Sequence, residues 1–215
     1  LDFKGVLFDL DGTILDTTDL ILKSFQYSFY KHYNRDPDLA VVKAYFGKPL
    51  RAALEVLAPG KEEEVLKTYR EYNLVHHDLL AKSFAGVAEV IQDMYNDGVS
   101  MGIVTSKTYQ TAVRGLKLFD LDKYFRVVIG FEQCQHHKPH PEPVQLAVAA
   151  LGLELGDCLM VGDSPFDIIS AHEAGVKTVA VRWSEVPWED VMAAKPDFVI
   201  ETMRDLISLC GSRDK

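Results

Sequence analysis

The chemistry available to this chain starts from two pairs of carboxylates, each directly behind a short apolar run. Val6-Leu7-Phe8 leads into Asp9-Leu10-Asp11-Gly12-Thr13, and Cys158-Leu159-Met160-Val161 leads into Gly162-Asp163-Ser164-Pro165-Phe166-Asp167. Two carboxylates one residue apart repel unless a cation neutralises them, so Asp9 and Asp11 imply a hard divalent metal. Asp163 is placed to be a further metal ligand. Asp167, one helical turn on, is suited to hold a metal-bound water or to orient a lysine. Taken singly, the first motif is also a solvated Asp-Gly turn and the second a helix N-cap. Together, at strand ends of one sheet, they favour a shared Mg2+ site.

Two further segments offer contacts to an anion. Thr105-Ser106-Lys107 follows Gly102-Ile103-Val104, and a hydroxyl with the next backbone N–H at a helix start forms an anion site. Lys138 lies in His137-Lys138-Pro139-His140-Pro141, where two prolines limit the wandering of its ammonium. Alone, Thr105 reads as an N-cap and Lys138 as a surface lysine. Combined with a divalent ion they supply what phosphoryl transfer needs, positive charge placed around the equatorial oxygens.

These residues need a frame. Apolar runs recur at Met101-Gly102-Ile103-Val104, Val127-Val128-Ile129, Thr178-Val179-Ala180-Val181 and Phe198-Val199-Ile200. Near-continuous rather than alternating apolarity predicts strands buried on both faces, as in a parallel sheet. Helical patterns at residues 87–96, 109–118, 143–151 and 166–174 alternate with them. The fold class is therefore α/β, a doubly wound parallel sheet with its active site at the carboxyl ends of the strands. Residues 16–81 break the rhythm and show no strand. Leu20, Ile21, Ser24, Phe25, Ser28 and Phe29 repeat at helical spacing after candidate N-caps Asp16, Thr17 and Thr18. Further helices are expected at residues 50–57 and 61–80. The division expected is a core of residues 1–15 and 82–215 with an inserted all-helical domain of residues 16–81, hinged where the chain crosses.

Composition narrows the partners. Over 215 residues, 32 acidic side chains against 23 basic give a formal charge of −9. Polyanions are bound mainly by basic patches, so no nucleic acid and no anionic membrane surface is expected. A small anionic substrate stays open, because a metal and a few local cations outweigh the global charge. Three cysteines without a CxxC pair suit a reducing cytoplasm. The apolar runs are far shorter than the roughly 20 residues a membrane span needs. With Leu1-Asp2-Phe3-Lys4-Gly5 running straight into the first strand, no signal peptide is expected. Nothing here sets the oligomeric state.

The four motifs, in this order, resemble those of the haloacid-dehalogenase superfamily of phosphohydrolases, and the resemblance spans essentially the whole chain. It implies a Rossmann-like core with a helical cap that closes over the site. It implies that Asp9 attacks phosphorus to form an aspartyl-phosphate, while Asp11 protonates the leaving oxygen and then takes a proton from water. Thr105 and the Ser106 N–H would bind the transferring phosphoryl group, with Lys138 neutralising its charge. Mg2+ would be held by the Asp9 carboxylate, the Asp11 backbone carbonyl and Asp163, with Asp167 behind them.

Specificity is then expected in the cap. Phe46-Gly47-Lys48-Pro49-Leu50-Arg51 resembles the cap loop of the phosphoglycolate-phosphatase and phosphoglucomutase-like branch. Lys48 and Arg51 are candidates for the far end of an anionic substrate, or else solvated cations at a helix start. The stretches Thr68-Tyr69-Arg70-Glu71-Tyr72-Asn73, Met101-Gly102-Ile103-Val104-Thr105-Ser106-Lys107 through Gly115-Leu116-Lys117-Leu118, and Lys138-Pro139-His140-Pro141-Glu142-Pro143-Val144 are similar to the bacterial inorganic-pyrophosphatase branch. Pyrophosphate is the preferred substrate on this resemblance, with phosphoglycolate close behind. A haloacid dehalogenase has no need of an acid at Asp11. A β-phosphoglucomutase shares motifs and cap, whereas a non-catalytic binding protein has no reason to keep Asp9, Asp11, Lys138 and Asp163 together. His136, His137 and His140 are read as solvated more readily than as a transition-metal site. His76 and His77 are expected to face solvent, Tyr27, Phe29, Tyr30 and Tyr33 to pack in the cap, and Trp183 and Trp188 to pack at an edge.

Overall fold

The computed structural model describes residues 3–210. Leu1 and Asp2 of the opening segment, and residues 211–215 assigned to the core, lie outside the described residues. Six strands form one parallel sheet: β1 (Gly5–Phe8), β4 (Ser100–Val104), β5 (Val127–Ile129), β6 (Cys158–Gly162), β7 (Lys177–Val181) and β8 (Phe198–Ile200). Their order is β5-β4-β1-β6-β7-β8. The chain therefore builds to one side of β1 and then to the other. The reversal opens a crevice at the carboxyl ends of β1, β4 and β6, where such sheets place their ligands.

The continuous apolar run of β1 is explained by what lies on each face. Val6 and Phe8 pack with Ile91, Met101, Ile103 and Leu116, while Leu7 between them packs with Val104, Val144, Val148 and Met160. Alternate side chains thus enter two separate cores, and each contributes about 1.5–3 kcal/mol by burial. Helices α5 (Val87–Asn96) and α6 (Tyr109–Leu118) cover the first face, and α7 (Glu142–Leu151) and α8 (Pro165–Ala174) the second. The helix α9 (Trp188–Ala193) packs on Ile168 and Ala180, and α10 (Asp205–Cys210) closes the first core through Leu206.

Between β1 and α5 the chain leaves the sheet. The two-residue strands β2 (Leu15–Asp16) and β3 (Lys82–Ser83) pair antiparallel, so departure and return lie side by side. A strand of two residues carries no readable period, so the sequence pattern predicts none there. The insert holds α1 (Thr18–Tyr33), α2 (Leu39–Ala44), α3 (Leu50–Leu57) and α4 (Glu62–Leu80). It has its own apolar cluster of Phe25, Phe29, Val42, Leu54, Val65, Leu66 and Tyr69. In α1, Ser24 and Ser28 are buried without penalty because their hydroxyls donate to the carbonyls of Leu20 and Ser24 at 2.6 and 2.7 Å. The aromatic stripe splits: Phe29 is buried and stacks with Tyr33, but Tyr27 and Tyr30 are 46% and 65% exposed. Trp183 packs against Phe84 and the first core, and Trp188 carries the Arg182 guanidinium.

Candidate active site

The site grows from the end of β1. The Asp9 N–H continues the ladder by donating to the Val161 carbonyl at 2.9 Å, which holds the carboxylate against the end of β6. The chain then turns at Gly12, whose φ is +85°, a conformation open mainly to glycine. A Cβ built at Gly12 would lie 2.1 Å from Asp163 Oδ2. Glycine is thus needed twice, for the turn and for the approach that joins the two acidic clusters.

Lys138 runs underneath them, 4% exposed. Its ammonium donates to Asp9 Oδ1 at 2.7 Å, to the Val104 carbonyl at 3.1 Å and to Asp167 Oδ1 at 2.5 Å. The other Asp167 oxygen accepts from the Ser164 N–H at 3.0 Å and its hydroxyl at 2.6 Å, the capping box that starts α8. Of the two uses foreseen for Asp167, its hydrogen bonds serve the orientation of the lysine. Asp163 Oδ2 accepts from the Ser184 hydroxyl at 2.6 Å, whereas its Oδ1 is buried with no partner among the described residues.

Asp9, Asp163 and Asp167 bring carboxylate oxygens within 4.8 Å of one another, against the single ammonium of Lys138. Burial pushes the Asp9 carboxyl up to about 7 although Lys138 pulls the other way. Burial, then the charges of Asp9 and Asp167, push Asp163 well above the carboxylate range. Burial also works against the Lys138 charge, but Asp167 and Asp9 outweigh it and hold the ammonium above the usual lysine range. With its three carboxylates ionised the cluster is two positive charges short of neutrality, and it contains a buried oxygen without a donor among the described residues. A divalent cation fits that deficit in charge and in ligand chemistry.

Asp11 faces another wall. Its Oδ1 accepts from the Thr17 hydroxyl and the Lys107 ammonium. Thr17 stands at the N-cap position of α1, yet its hydroxyl makes no cap and serves Asp11 instead. Thr105 is buried at the end of β4, its Oγ1 accepting from the Lys107 N–H at 3.2 Å. The Ser106 hydroxyl donates to the Gly47 carbonyl at 2.8 Å, a direct tie to the insert.

Core and insert enclose a cavity of about 500 Å³. Asp9, Asp11, Thr105, Ser106 and Asp163 line it from the sheet side, and Lys48, Arg51 and Tyr69 from the insert. The Lys48 ammonium lies 4.8 Å from the Tyr45 ring centre and 4.6 Å from that of Phe166, a cation–π contact bridging insert and α8. Arg51 pairs with Glu63 across α3 and α4, so its charge is already engaged.

Three contributors are not marked by any sequence motif. Lys107 and Ser184 touch the acidic residues, and only the position of Lys107 directly after Thr105-Ser106 hinted at it. His77, expected in solvent, is 1% exposed. Its ring packs over Gly115 of α6, and its Nδ1 lies 2.8 Å from Asp78 Oδ1, which also takes Arg114 Nε at 2.9 Å. Burial lowers the pKa of its imidazole, opposed by the Asp78 hydrogen bond. The i, i+4 series Tyr69, Asn73, His77 was the available signal, a polar stripe on the buried face of α4. His136 and His140 are exposed and stacked, and Glu142 accepts from His136 and from the N–H groups of Gln135 and His136.

Among the described residues no helix is long and apolar enough to cross a membrane. A relative from Caldanaerobacter subterraneus is 47% identical over 215 residues, covering 100% of this chain and 98% of that one. The pyrophosphatase PpaX of Anoxybacillus flavithermus is 39% identical, covering 98% of both chains. Among solved structures, a haloacid dehalogenase-like hydrolase from Streptococcus pneumoniae superimposes with a TM-score of 0.88 at 22% identity, covering 97% of this chain and 99% of that one. A predicted phosphoglycolate phosphatase from Haemophilus somnus gives a TM-score of 0.84 at 23% identity, covering 97% and 98%. At those identities the superpositions speak for the fold. The model of the haloacid dehalogenase-like hydrolases matches residues 6–181, from β1 through β7 and so across every acidic motif of the site, and the chain belongs to that family.

Proposed function

We propose that this hydrolase cleaves inorganic pyrophosphate to phosphate, with Mg2+, through an aspartyl-phosphate on Asp9. One observation carries the reading: a buried carboxylate faces the cavity while Lys138, Asp163 and Asp167 crowd it with charge that only a cation balances. Mg2+ held by Asp9, Asp163 and the Asp11 backbone carbonyl would neutralise the phosphoryl oxygens and the acidic cluster together.

The protein groups divide the remaining work. Thr105 Oγ1 and the Ser106 N–H orient the transferring phosphoryl group, and Lys138 holds Asp9 in line with it. An Asp9 oxygen forms a bond to phosphorus as the bond to the leaving oxygen breaks, and Asp11 gives that oxygen its proton. Water then attacks the phosphorus of the aspartyl-phosphate, Asp11 takes the water's proton, and free Asp9 and phosphate are regenerated. The insert of residues 16–81 acts as a cap hinged at the β2–β3 ribbon, tied down by Ser106 to Gly47, and keeps bulk water out.

Pyrophosphate is preferred over phosphoglycolate because full-length relatives at 38–39% identity are named pyrophosphatases, and the cap stretch at residues 68–73 resembles that branch. The free thiols Cys134, Cys158 and Cys210 support a reducing, cytoplasmic setting. The test is phosphate release with Mg2+ from pyrophosphate, phosphoglycolate and hexose phosphates at matched concentrations. Pyrophosphate should show the highest kcat/KM. A higher value for phosphoglycolate would replace the substrate assignment, and chelator-insensitive release would remove the metal.

A further inference from the structure

Lys107 occupies a position that the catalytic scheme does not use. Its ammonium contacts Oδ1 of Asp11, the acid of the leaving oxygen, and its side chain lines the cavity at 15% exposure. The base of the side chain is held firmly: its N–H donates to Thr105 Oγ1 at 3.2 Å, and its carbonyl accepts from the Phe131 N–H at 2.7 Å. It is thus anchored to the same loop that presents Thr105 and Ser106, just before α6 begins at Tyr109.

We propose that Lys107 is a specificity-determining contact for the departing phosphate, exchanging Asp11 for that anion when a diphosphate binds. This rests on the pyrophosphatase reading and deepens it. The leaving oxygen must come within about 2.6–3.2 Å of Asp11 to receive its proton. An ammonium on that same carboxylate therefore borders the leaving group. A departing phosphate places charged oxygens around its bridging oxygen, where that ammonium can take them. An alcohol or phenol places carbon there and gains nothing.

Of the other cations lining the cavity, Arg51 is paired with Glu63, Arg114 with Asp78, and Lys48 is held between the rings of Tyr45 and Phe166, while Arg70 lines it from α4 and makes no contact with Asp11 among the described residues. In the free protein Asp11 serves as a placeholder anion, so a mostly buried ammonium keeps a partner and stays ordered until the substrate supplies another. Thr17 remains on Asp11 after the exchange and keeps its carboxyl aimed at the leaving oxygen.

The test compares wild type with Lys107→Gln and Lys107→Met, each checked for an unchanged thermal midpoint, on pyrophosphate and on 4-nitrophenyl phosphate. A second arm measures inhibition by methylenediphosphonate and by methylphosphonate in Mg2+. Loss of a charge-assisted contact should lower kcat/KM for pyrophosphate by about 10- to 150-fold, with a much smaller change for the aryl ester. The methylenediphosphonate Ki should rise by a similar factor while that of methylphosphonate stays in place, and Lys107→Arg should recover part of the loss. Equal losses on both substrates with unmoved inhibitor constants would reduce Lys107 to a support of Asp11 and overturn the proposal. If wild type prefers phosphoglycolate, the pyrophosphate reading falls by itself. The inhibitor arm then still decides Lys107, because it needs no turnover.

Discussion

Two aspartate clusters at opposite ends of the sheet show how environment separates a working carboxylate from a structural one. At the amino-terminal ends of β7 and β8, Asp197 accepts from Lys177 at 2.5 Å, from the Thr178 N–H and hydroxyl at 3.0 Å each, and faces His172 Nε2 at 3.0 Å. Burial there works against the charge, but Lys177, the Thr178 amide and His172 outweigh it and hold the carboxyl far below its ordinary range. At the carboxyl ends, burial first and then the neighbouring carboxylates push Asp9 and Asp163 up, with one ammonium among three acids. The first cluster is saturated with donors and stabilises the native state as it stands. The second is left short of positive charge, which is the condition of a site that binds a cation and acts on an anion.

That contrast can be broken at its strong end first. Asp9→Asn should cut turnover at least about a thousandfold while leaving the thermal midpoint in metal-free buffer no lower, since it removes a repelling charge. Retained turnover would eliminate the aspartyl-phosphate. Lys138→Met takes away the only ammonium from the cluster and should cost about 3–5 kcal/mol in denaturant unfolding. Wild-type stability in that variant would mean that the cluster is not short of positive charge.

A more selective probe is the metal response. Mg2+ at a hundred times its Kd should stabilise wild type by about 2.7 kcal/mol, and Asp163→Asn should lose most of that gain together with turnover. An unchanged response would remove Asp163 from the ligand set. At the other end of the sheet, Asp197→Asn should lower stability by about 1–3 kcal/mol at neutral pH with kcat unaltered. The sign with pH follows from the depressed native pKa: the contribution of Asp197 is complete above the unfolded value of about 4 and is lost as pH falls below it. The gap between wild type and variant should therefore close in acid, and a gap that persists would assign the effect to packing.

The smallest effects belong to the cap cations. Lys48→Ala should raise KM for a small anionic substrate more than for an aryl phosphate. Arg51→Ala should do so less, because Glu63 already holds that guanidinium on an exposed face where ion pairs contribute about 0–1 kcal/mol. The reverse order would put the substrate on the α3 side of the cavity.

How legible each part was in the chain depended on its range of interaction. Strands such as β1 and β6 were readable because burial on both faces writes a continuous apolar run. The ribbon of β2 and β3 was not, since a two-residue strand exists only through partners 66 and 68 positions away. Tyr27 and Tyr30 lie two residues and one residue from Phe29 in α1 and so on other faces, and which face turns inward depends on where α4 lies. The same packing drew His77 out of solvent and over Gly115. Ser184 is silent because nothing near it in the chain announces the carboxylate it meets, and Lys107 is marked only by its place directly after Thr105-Ser106.

Local order was enough to determine the α/β alternation, the strand-end acids Asp9, Asp11, Asp163 and Asp167, and the helical interruption between residues 16 and 81, because periodicity, turn glycine and charge spacing act over a few residues. Tertiary structure decided which charges meet. It drew Asp163 to Gly12, ran Lys138 beneath Asp9 and Asp167, set Lys107 on Asp11 and engaged Arg51 with Glu63. The reason is physical: ion pairing and desolvation depend on distance in space, and positions 129 apart in the chain become neighbours only when the sheet is assembled.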